Sequence, residues 1–585
     1  MADGAPPGTS RAEAAQQVGR WLEANIGAVP LGDADVPSSF IEGWSFVLAV
    51  GGEQLKLRFF LDTEFPHSEP RIGFAEPPAF PSYPHVEHDG LICVLTSRDV
   101  IDPNDPVGVA QYVLKGAADI LEQGIAGKNS DDFRREFLSY WVPLAKGTPV
   151  LSLLDPSEPT RAIAIWPGKG RTVAAENEKE LRAWAANRYG KRSMSSASAH
   201  TGLLIWLDRP LLPDEYPETP EALFAIADAA GAGDLLDRTV ARSTGSTLVL
   251  LGAETGDGAC FAGVTLRGGP RGHRRGRSRG FRTTKMDPRH ARLMALAGHA
   301  EWSAVGRADP RWIHGRDANP DIDELMGSRV AIVGCGSLGS PVARLLAQAG
   351  VGTIDLVDPE TLDWPNISRH ALGAASVHGN KAEQLAAELG RSFPHSRFVA
   401  HPKRWQDCIP ALEGRDTLVI STVGDWRAES LLNLWQLEDV TRRLIYGWCE
   451  PHGVAGHGVL VAKGSGCLQC GLDTMGGVRG TVSEWPASTL RRVPACGAHF
   501  QPYGAAAIMT IAAMVSDLAI DVLLAHADAG EHRIAAAPLS AVTAEGGTWS
   551  AAWAATAPGD DGARSRRFRW LPTPACPACQ GGGIR

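Results

Sequence analysis

The sequence predicts an α/β protein of several domains. Its 585 residues are enough for roughly three to four domains. A buried strand, a glycine-rich turn and a helix follow one another at residues 329–348, which is typical of a Rossmann-like sheet. The N-terminal region instead has the order helix, strand meander, proline-rich loop and helices. A hydrophobic content of 44% and a charged content of 21% indicate sizeable cores.

The glycine-rich turn predicts a nucleotide site. Gly334, Gly336 and Gly339 stand at G-x-G-x-x-G spacing after the strand Arg329–Val333. The first glycine permits a tight turn, the second lets backbone N–H groups approach a phosphate, and the third lets helix and strand pack closely. The next strand ends in Asp358, where a carboxylate would bond a ribose hydroxyl. Alone, this pattern is also typical of an NAD-dependent oxidoreductase.

Three polar or basic residues favour ATP over a dinucleotide. Asn366, Arg369 and Lys381 follow the glycine loop, and cations are needed where charge develops at the α-phosphate and the pyrophosphate leaving group. With the glycines and Asp358, they resemble the ThiF-like, ubiquitin-activating adenylation family. The resemblance implies that Lys381 and Arg369 are catalytic, that Asn366 binds ATP, and that the protein is a homodimer.

The same resemblance implies further ligands of the nucleotide. Asp425, in the stretch TLVISTVGDWRAESLLN, is slightly shifted from the family's carboxylate that holds Mg²⁺, a cation that prefers such ligands. Its other interpretation is a helix N-cap. Arg311 or Arg316 would hold the phosphates, although a surface salt bridge explains either residue equally well.

Two C-x-x-C pairs predict a zinc site. Cys467, Cys470, Cys576 and Cys579 are four of ten cysteines in a chain without a recognisable export signal, which favours metal over disulfides. Four thiolates form a closed, structural tetrahedral site for Zn²⁺. The alternative is two unrelated reduced pairs. The same pairing occurs in the ThiF-like family.

Cys496 lies between the two pairs and is the candidate thioester cysteine of the adenylation domain. Arg491 and Arg492 nearby favour a thiolate, and the Gly/Pro-rich surroundings predict an accessible loop. Thioester-forming activating enzymes carry a cysteine at this place after the nucleotide domain. Cys449 and Cys408 have apolar contexts and are expected to be structural.

The N-terminal region predicts a second known fold. The predicted elements are a helix at Arg11–Ile26, strands at Ser45–Val50, Gln54–Leu61 and Arg71–Phe74, and helices at Val107–Gln123 and Asp131–Trp141. With the FPHSEP turn, the HDGLICV run and the EFLSYW helix end, residues 11–145 resemble the bacterial ubiquitin-conjugating-like family. The resemblance implies an α+β domain whose Cys93 carries a thioester.

The cysteine and its neighbours leave alternatives open. Cys93 could instead be a small buried core residue, because a reactive thiol needs exposure and a lowered pKa. The eukaryotic pattern has His-Pro-Asn upstream of the cysteine, but here the triplet is Tyr83-Pro84-His85. His85 and His88 are the candidates for stabilising the oxyanion.

These features divide the chain into a conjugating-like domain at 1–145, a linker domain at 146–300 and an adenylation domain at 301–585. The linker domain is predicted to be a small α/β or α+β domain without a catalytic set. Its arginine-rich run Arg271–Arg282 is typical of a solvated segment. A nucleic-acid arm would need interleaved aromatic residues, and a contact with an acidic partner tail is a further interpretation.

The whole chain resembles bacterial fusion enzymes of CBASS antiphage operons. That resemblance implies adenylation of the C-terminus of a cGAS-like nucleotidyltransferase, transfer from Cys496 to Cys93, and ligation to lysine amines of an acceptor protein. A bacterial ubiquitin-like protein is the alternative partner. A sulfur-carrier ThiF adenylyltransferase, an NAD-dependent oxidoreductase and a scaffold without catalysis are the alternative functions.

Charge and hydropathy give no reason to expect nucleic acid or a membrane as a partner. The formal charge of −9 is mild for this length and gives no reason to expect nucleic acid as a partner. The most apolar long window, Ala505–Ala525, contains Asp517 and Asp521. It therefore predicts a buried core helix, not a membrane span. No secretory signal is recognisable, so the sequence predicts a cytoplasmic protein.

Overall fold

The computed structural model confirms a multidomain α/β protein. It describes residues 10–95, 101–156, 159–168, 170–190, 199–243, 245–268, 287–413, 416–473, 476–486, 491–492, 499–500 and 503–584. The chain forms two compact units, Met1–Glu176 with Ala199–Arg307, and Asn177–Ser198 with Ala308–Arg585. Cys496 and the run Arg271–Arg282 lie outside the described residues.

The first unit begins with a helix, an antiparallel sheet and closing helices. These are α1 (Arg11–Ile26), β1 (Val29–Pro30), β2 (Glu42–Val50), β3 (Glu53–Leu61), β4 (Arg71–Phe74), β5 (Leu91–Ile92), α2 (Pro106–Ile125), α3 (Asp132–Arg135) and α4 (Phe137–Leu144). The five strands pair in sequence order. Ser10 and Glu13 form a capping box at the start of α1, and Gly27 ends it with φ 64°. The predicted helix Asp131–Trp141 is two helices, because the chain leaves helical geometry at Glu136.

A closed barrel follows in the same unit. The next elements are β6 (Val150–Ser152), β7 (Arg161–Pro167), β8 (Thr172–Ala175), α5 (Glu178–Tyr189), β9 (His200–Trp206), α6 (Pro220–Ala229), α7 (Gly233–Arg242), β10 (Ser246–Thr255), β11 (Gly258–Arg267), α8 (Pro288–Leu296) and β12 (His299–Arg307). The seven strands close in the order β10-β11-β12-β6-β8-β7-β9. Helix α5 belongs to the second unit.

Trp141 ties the conjugating-like part of the first unit to the barrel. Its side chain on α4 is fully buried, and its indole N–H donates to the Ser303 carbonyl at 3.0 Å. Its ring packs against Trp302 and Tyr216, with centroids 5.0 Å away in both cases. These contacts join two parts of the chain that are far apart in sequence into one core.

The second unit is built on an eight-stranded sheet. Its elements are α9 (Pro310–Ile313), α10 (Ile322–Gly327), β13 (Arg329–Val333), α11 (Gly339–Ala349), β14 (Thr353–Val357), α12 (Lys381–Ser392), β15 (Arg397–His401), α13 (Ile409–Leu412), β16 (Thr417–Ser421), α14 (Trp426–Leu437), β17 (Arg443–Cys449), β18 (Ala455–Val461), β19 (Ser483–Glu484), β20 (Arg491–Arg492), β21 (His499–Phe500), α15 (Ala505–Leu523), β22 (Glu531–Ala536), α16 (Leu539–Ala544), β23 (Thr548–Trp549), α17 (Ala551–Ala554) and β24 (Arg564–Arg569). The order is β15-β14-β13-β16-β17-β18-β22-β24.

The parallel half of this sheet creates the nucleotide crevice. Strands β15, β14, β13, β16 and β17 are parallel, and β18, β22 and β24 continue antiparallel. From β13 the chain adds β14 and then β15 on one side, and it then returns to form β16 on the other side of β13. Ligands bind at such a switch point, outside the carboxyl ends of the strands.

Helix α15 contains most of the predicted core helix. Within the described part of the chain, it is the one helix long and apolar enough to cross a membrane by length and composition, and 56% of its most apolar window is buried. It packs against α11 and against strands β17, β18 and β22. Its apolar side chains therefore pack in the core of the second unit.

Candidate active site

A cavity of about 600 Å³ lies at the switch point of the sheet. Its lining residues end or follow strands β13, β14, β15 and β16, or lie on α12 and α14. They include predicted site residues from separate motifs: Gly334, Gly336, Asp358, Lys381 and Asp425. Gly339, Asn366 and Arg369 are not among the described residues that line it.

The glycine loop has the geometry that the spacing predicts. Gly334 has φ 91°, a conformation that favours glycine. A Cβ added to Gly339 would lie 1.9 Å from the Gly334 carbonyl oxygen, so this position requires glycine. A Cβ added to Gly336 would meet nothing within 4 Å, so its backbone borders open space in the cavity.

Two buried side chains hold Cys335, at the centre of this loop. Asp358 Oδ2 accepts a hydrogen bond from the Cys335 N–H at 2.8 Å, and its Oδ1 accepts one from the Glu360 N–H at 2.8 Å. Burial raises the pKa of Asp358. His370 Nε2 lies 2.6 Å from the Cys335 carbonyl oxygen, while its Nδ1 accepts from the Leu372 N–H at 3.0 Å. Nε2 is therefore the donor, in a neutral imidazole.

His370 is a site residue that the sequence analysis missed. Burial lowers the pKa of His370 to about 4, which keeps it neutral at physiological pH. No spacing rule links His370 to the glycine loop, because the contact arises only when the chain folds back on β13.

The predicted cations differ in their access to the cavity. Lys381 begins α12, its side chain is 9% exposed, and its Nζ lies 2.5 Å from Glu360 Oε2. The Arg369 guanidinium lies 4.4 Å from the centre of the Tyr503 ring. The Asn366 side-chain oxygen accepts a hydrogen bond from the Asp363 N–H at 3.0 Å. Arg369 and Asn366 thus support neighbouring structure in the free chain.

Asp425 has the N-cap role of one of its two interpretations, and its role as a Mg²⁺ ligand stays a prediction. It caps α14, with Oδ1 accepting from the Arg427 N–H at 3.2 Å, and it lines the cavity. Arg404 and Arg427 also line the cavity and add positive charge that the sequence analysis did not predict. Arg311 forms the expected surface salt bridge, with Asp323 at 2.7 Å.

A second cavity of about 420 Å³ adjoins the first. Both are lined by Thr422 and Val423, at the end of β16. Most of the residues that line the second cavity are apolar or aromatic, and one, Glu429, is acidic. Ser421 donates to Glu429 Oε1 at 2.8 Å, and burial raises the pKa of Glu429 to about 7.

Both ends of the segment that carries Cys496 reach the second cavity. Gly476 and Val478 lie at the start of that segment, Tyr503 lies at its end, and all three line the cavity. Strands β20 and β21 pair antiparallel, Arg491 with Phe500 and Arg492 with His499. Cys496 lies between them in sequence. We call residues 476–503 the crossover segment.

The four knuckle cysteines come together as predicted. Their sulfur atoms all lie within 4.8 Å of one another; Cys467 Sγ is 3.8 Å from Cys470 Sγ and 3.6 Å from Cys576 Sγ, and Cys470 Sγ is 3.5 Å from Cys579 Sγ. A Zn–S bond of about 2.3 Å implies sulfur separations near 3.8 Å in a tetrahedron. The donor set therefore fits zinc.

Cys93 is exposed, which favours the thioester interpretation over the core interpretation. Its N–H donates to the His85 carbonyl at 2.8 Å. Burial of the sulfur raises the pKa of Cys93, and the nearby Glu87 raises it further. The pKa of Cys93 is therefore shifted away from the low value expected of a reactive cysteine.

The His85 ring is bonded to two carboxylates and does not stabilise an oxyanion in this conformation. His85 has φ 59°, and its N–H donates to the Tyr140 hydroxyl at 2.9 Å. Its Nε2 lies 3.2 Å from Asp132 Oδ2 and its Nδ1 lies 3.3 Å from Glu136 Oε2. Both ring nitrogens are engaged, so His85 holds the Cys93 loop, and His88 is the remaining candidate donor.

Two family matches cover the regions that hold these sites. Residues 35–148 match the prokaryotic E2 family B, and residues 314–551 match the ThiF family. The first range contains Cys93, and the second contains the glycine loop, Lys381 and Asp425.

Similar proteins include two Cap2 proteins and an adenylyltransferase. The chain is 25% identical over 499 residues to the ATP-dependent ubiquitin transferase-like protein Cap2 of Pseudomonas aeruginosa, covering 77% of this chain and 82% of the relative. The Cap2 protein of Enterobacter hormaechei is 34% identical over 149 residues, 22% of this chain and 24% of the relative. The mouse adenylyltransferase and sulfurtransferase MOCS3 is 41% identical over 80 residues, 14% and 17% of the two chains.

Among solved structures, the chain is similar to Escherichia coli MccB with ATP. That likeness has a TM-score of 0.31 at 17% identity and covers 44% of this chain and 68% of MccB, which is too distant to support an argument. The family matches and the Cap2 likeness confirm the predicted fusion. The chain joins a prokaryotic E2 family B domain to a ThiF-family adenylation domain, and it is an ATP-dependent activating and conjugating enzyme.

Proposed function

We propose that the chain adenylates the C-terminal carboxylate of a partner protein, passes the acyl group from Cys496 to Cys93, and ligates it to a lysine amine. The observation that carries this proposal is the pair of adjoining cavities. One holds the glycine loop, Asp358, Lys381 and Asp425, and the other is lined by both ends of the crossover segment. A nucleotide and an acyl chain would meet at Thr422.

The first step joins the partner to AMP. An oxygen of its C-terminal carboxylate attacks the α-phosphorus of ATP, the bond from that phosphorus to the bridging oxygen breaks, and pyrophosphate leaves. Lys381 stabilises the developing charge, exchanging its bond with Glu360, whose side chain is 70% exposed, for a phosphate oxygen. Asp425 would hold Mg²⁺, which supplies charge neutralisation at the phosphates.

The second step makes the first thioester. The Cys496 sulfur attacks the acyl carbon, the carbon–oxygen bond to AMP breaks, AMP leaves, and the thiol proton passes to water. This splits one difficult acyl transfer into two easier steps. The support is positional, because Val478 and Tyr503, on either side of Cys496 in sequence, line the cavity that adjoins the ATP cavity.

The remaining steps use the exposed Cys93. Its sulfur attacks the thioester carbon, Cys496 leaves, and the proton lost by Cys93 returns to Cys496. An acceptor lysine nitrogen then attacks the same carbon and loses its proton as Cys93 leaves as a thiol. The product is an amide between the partner's C-terminus and the acceptor protein.

The likeness to Cap2 supports the class of partner. We infer that the partner is a cGAS-like nucleotidyltransferase in a CBASS antiphage system, with a bacterial ubiquitin-like protein as the alternative. The chain would act as a cytoplasmic homodimer with bound Zn²⁺. The short match to MOCS3 keeps a sulfur-carrier adenylyltransferase as the rival function, and that rival has no use for Cys93.

Intact mass of a Cys93→Ser variant tests the relay. The variant is incubated with ATP, Mg²⁺ and a candidate partner, a bacterial cGAS-like nucleotidyltransferase. We expect a stable oxyester adduct, heavier than the enzyme by the partner minus one water. The adduct should disappear when Lys381→Ala or Cys496→Ala is added.

The other outcomes discriminate between the alternatives. An adduct that persists without Cys496 would show direct transfer from the adenylate to residue 93. ATP consumption without any adduct at residue 93 contradicts the relay and favours the sulfur-carrier function. A ubiquitin-like protein that forms the adduct in place of the nucleotidyltransferase would change the partner but not the mechanism.

A further inference from the structure

Glu450 is a buried carboxylate that the mechanism above does not use. It follows β17 directly and is 5% exposed. Its Oε1 accepts hydrogen bonds from the Val482 N–H at 2.6 Å and from His457 Nε2 at 2.9 Å. Its Oε2 accepts from the Ser483 N–H at 2.8 Å and from the Ser483 hydroxyl at 2.5 Å. Such a buried charge requires this complete set of donors.

Three of these four donors belong to the crossover segment. Val482 and Ser483 lie in its first half, where β19 pairs with β23. Trp485 donates from its indole N–H to the same Ser483 hydroxyl oxygen at 2.8 Å. Glu450 therefore fixes the crossover segment at Val482 and Ser483, before Cys496 in sequence.

The fourth donor connects this anchor to the second cavity. His457 is fully buried, and its Nδ1 lies 3.0 Å from His532 Nε2. The Trp448 ring, which lines the second cavity, stacks on the His457 ring at 4.7 Å and 5°. The Glu450 carboxylate thus bonds the segment that precedes Cys496, and through His457 it also supports Trp448, a wall of the second cavity.

The ionised form of Glu450 suits this role. Burial alone would raise the pKa of Glu450, but the bonds from His457, Ser483 and Val482 hold that pKa below its ordinary value. Charge-assisted hydrogen bonds to backbone N–H groups are stronger than neutral ones. The crossover segment is therefore bound more firmly than its short β19 pairing alone would allow.

We propose that Glu450 is a positioning residue for acyl transfer from the adenylate to Cys496, which it serves by anchoring the crossover segment beside the second cavity. The inference rests on the proposed function. It predicts that loss of this anchor slows thioester formation and leaves adenylation intact. The reason is that the hydrogen-bond partners described for Glu450 are His457, Val482 and Ser483, which do not line the ATP cavity.

The test separates the two steps in the full chain. A Cys93→Ala background keeps the acyl group on Cys496, and the probe is the candidate cGAS-like nucleotidyltransferase that forms the adduct in the Cys93→Ser test. Adenylation is measured as partner-dependent exchange of pyrophosphate into ATP. Transfer is measured as the rate at which a thiol-reversible adduct appears by intact mass.

Glu450→Gln should lower the transfer rate about tenfold or more, because small misplacements of a reacting group are costly. Pyrophosphate exchange should stay within about twofold of the parent. Glu484→Gln, an identical chemical change at an exposed position of the same segment, should alter neither rate. Ser483→Ala removes one donor only and should give a smaller decrease in transfer alone.

Three results would overturn the inference. They are an unchanged transfer rate in Glu450→Gln, a parallel fall of exchange and transfer, and, should Glu450→Gln fail to fold, an unchanged transfer rate in Ser483→Ala. A parent that exchanges pyrophosphate but forms no Cys496 adduct would instead contradict the proposed relay, and this inference would fall with it.

Discussion

His370 determines the conformation of the glycine loop without lining the nucleotide cavity. Its Nε2–H bonds the Cys335 carbonyl while Asp358 holds the Cys335 N–H. The loop is thus fixed from both sides before a nucleotide arrives. Such preorganisation avoids an ordering cost when a ligand binds, and it depends on a neutral imidazole.

We expect the contribution of His370 to the unfolding free energy of the second unit to be lost as pH falls below 6.5. Burial lowers the pKa of His370 from 6.5 to about 4, so between these values the unfolded chain binds more protons than the folded chain. The contribution is fully present above pH 6.5 and amounts to at most about 3 kcal/mol. Unfolding of His370→Gln should therefore depend less on pH than unfolding of the unchanged chain.

His88→Gln, at an exposed position, is the control for that comparison. Burial also lowers the pKa values of His395 to about 4 and His532 to about 3, so these residues add in the same direction. The raised pKa values of Asp358 and Glu429 act in the opposite direction, but the unchanged chain and both variants contain these two residues. Parallel pH curves for His370→Gln and the unchanged chain would contradict the prediction.

At the scale of single residues, the sequence predicted those residues that belong to a motif. Gly334, Gly339 and the four knuckle cysteines are recognisable because fixed spacing gives them their chemistry. His370 and Glu450 were missed, since each acts through a partner distant in sequence and no local pattern marks them. Cys496 stays a prediction, because it lies outside the described residues.

At the scale of elements, the break between α3 and α4 serves the conjugating-like site. A continuous helix was predicted over Asp131–Trp141, because apolar residues recur there at helical spacing. The break at Glu136 instead brings Asp132 and Glu136 to the two nitrogens of His85. A tertiary contact has overridden a local preference, which periodicity alone cannot predict.

The zinc knuckles are expected to hold the C-terminal end of the chain on the sheet. Trp570 donates from its indole to the Cys467 carbonyl at 2.9 Å, and the Thr573 hydroxyl donates to the Cys470 carbonyl at 2.7 Å. Cys576→Ser should reduce bound zinc from about one ion per chain and lower the melting temperature, because metal binding contributes to folding. Elemental analysis and thermal unfolding measure the two effects.

Cys93→Ser is the matched control, since it makes the same change at an exposed cysteine outside the cluster. It should keep its zinc and its melting temperature. Full zinc occupancy in Cys576→Ser, or equal loss in both variants, would show that the four sulfurs do not form the site.

At the scale of the whole chain, the barrel was the least predictable part. A small α/β or α+β domain was predicted over residues 146–300, but not the closure of its strands into a barrel. Closure requires β6 to pair with β12, parallel and far away in sequence, and no turn marks such a pairing. The ThiF-type sheet was predictable because its order follows from repeated strand–helix units.

Trp141 should couple the conjugating-like part to the barrel. Its indole bonds the Ser303 carbonyl, and its ring fills a space between Trp302 and Tyr216. Trp141→Ala leaves a large cavity and an unpaired carbonyl, a loss of about 3–5 kcal/mol. We expect hydrogen exchange to show that α1 to α4 and the barrel open together in the unchanged chain and separately in the variant.

Tyr112→Ala, which removes an exposed aromatic ring, is the control and should leave the joint opening intact. Joint opening in Trp141→Ala would mean that other contacts carry the coupling and that the two parts form a single cooperative core.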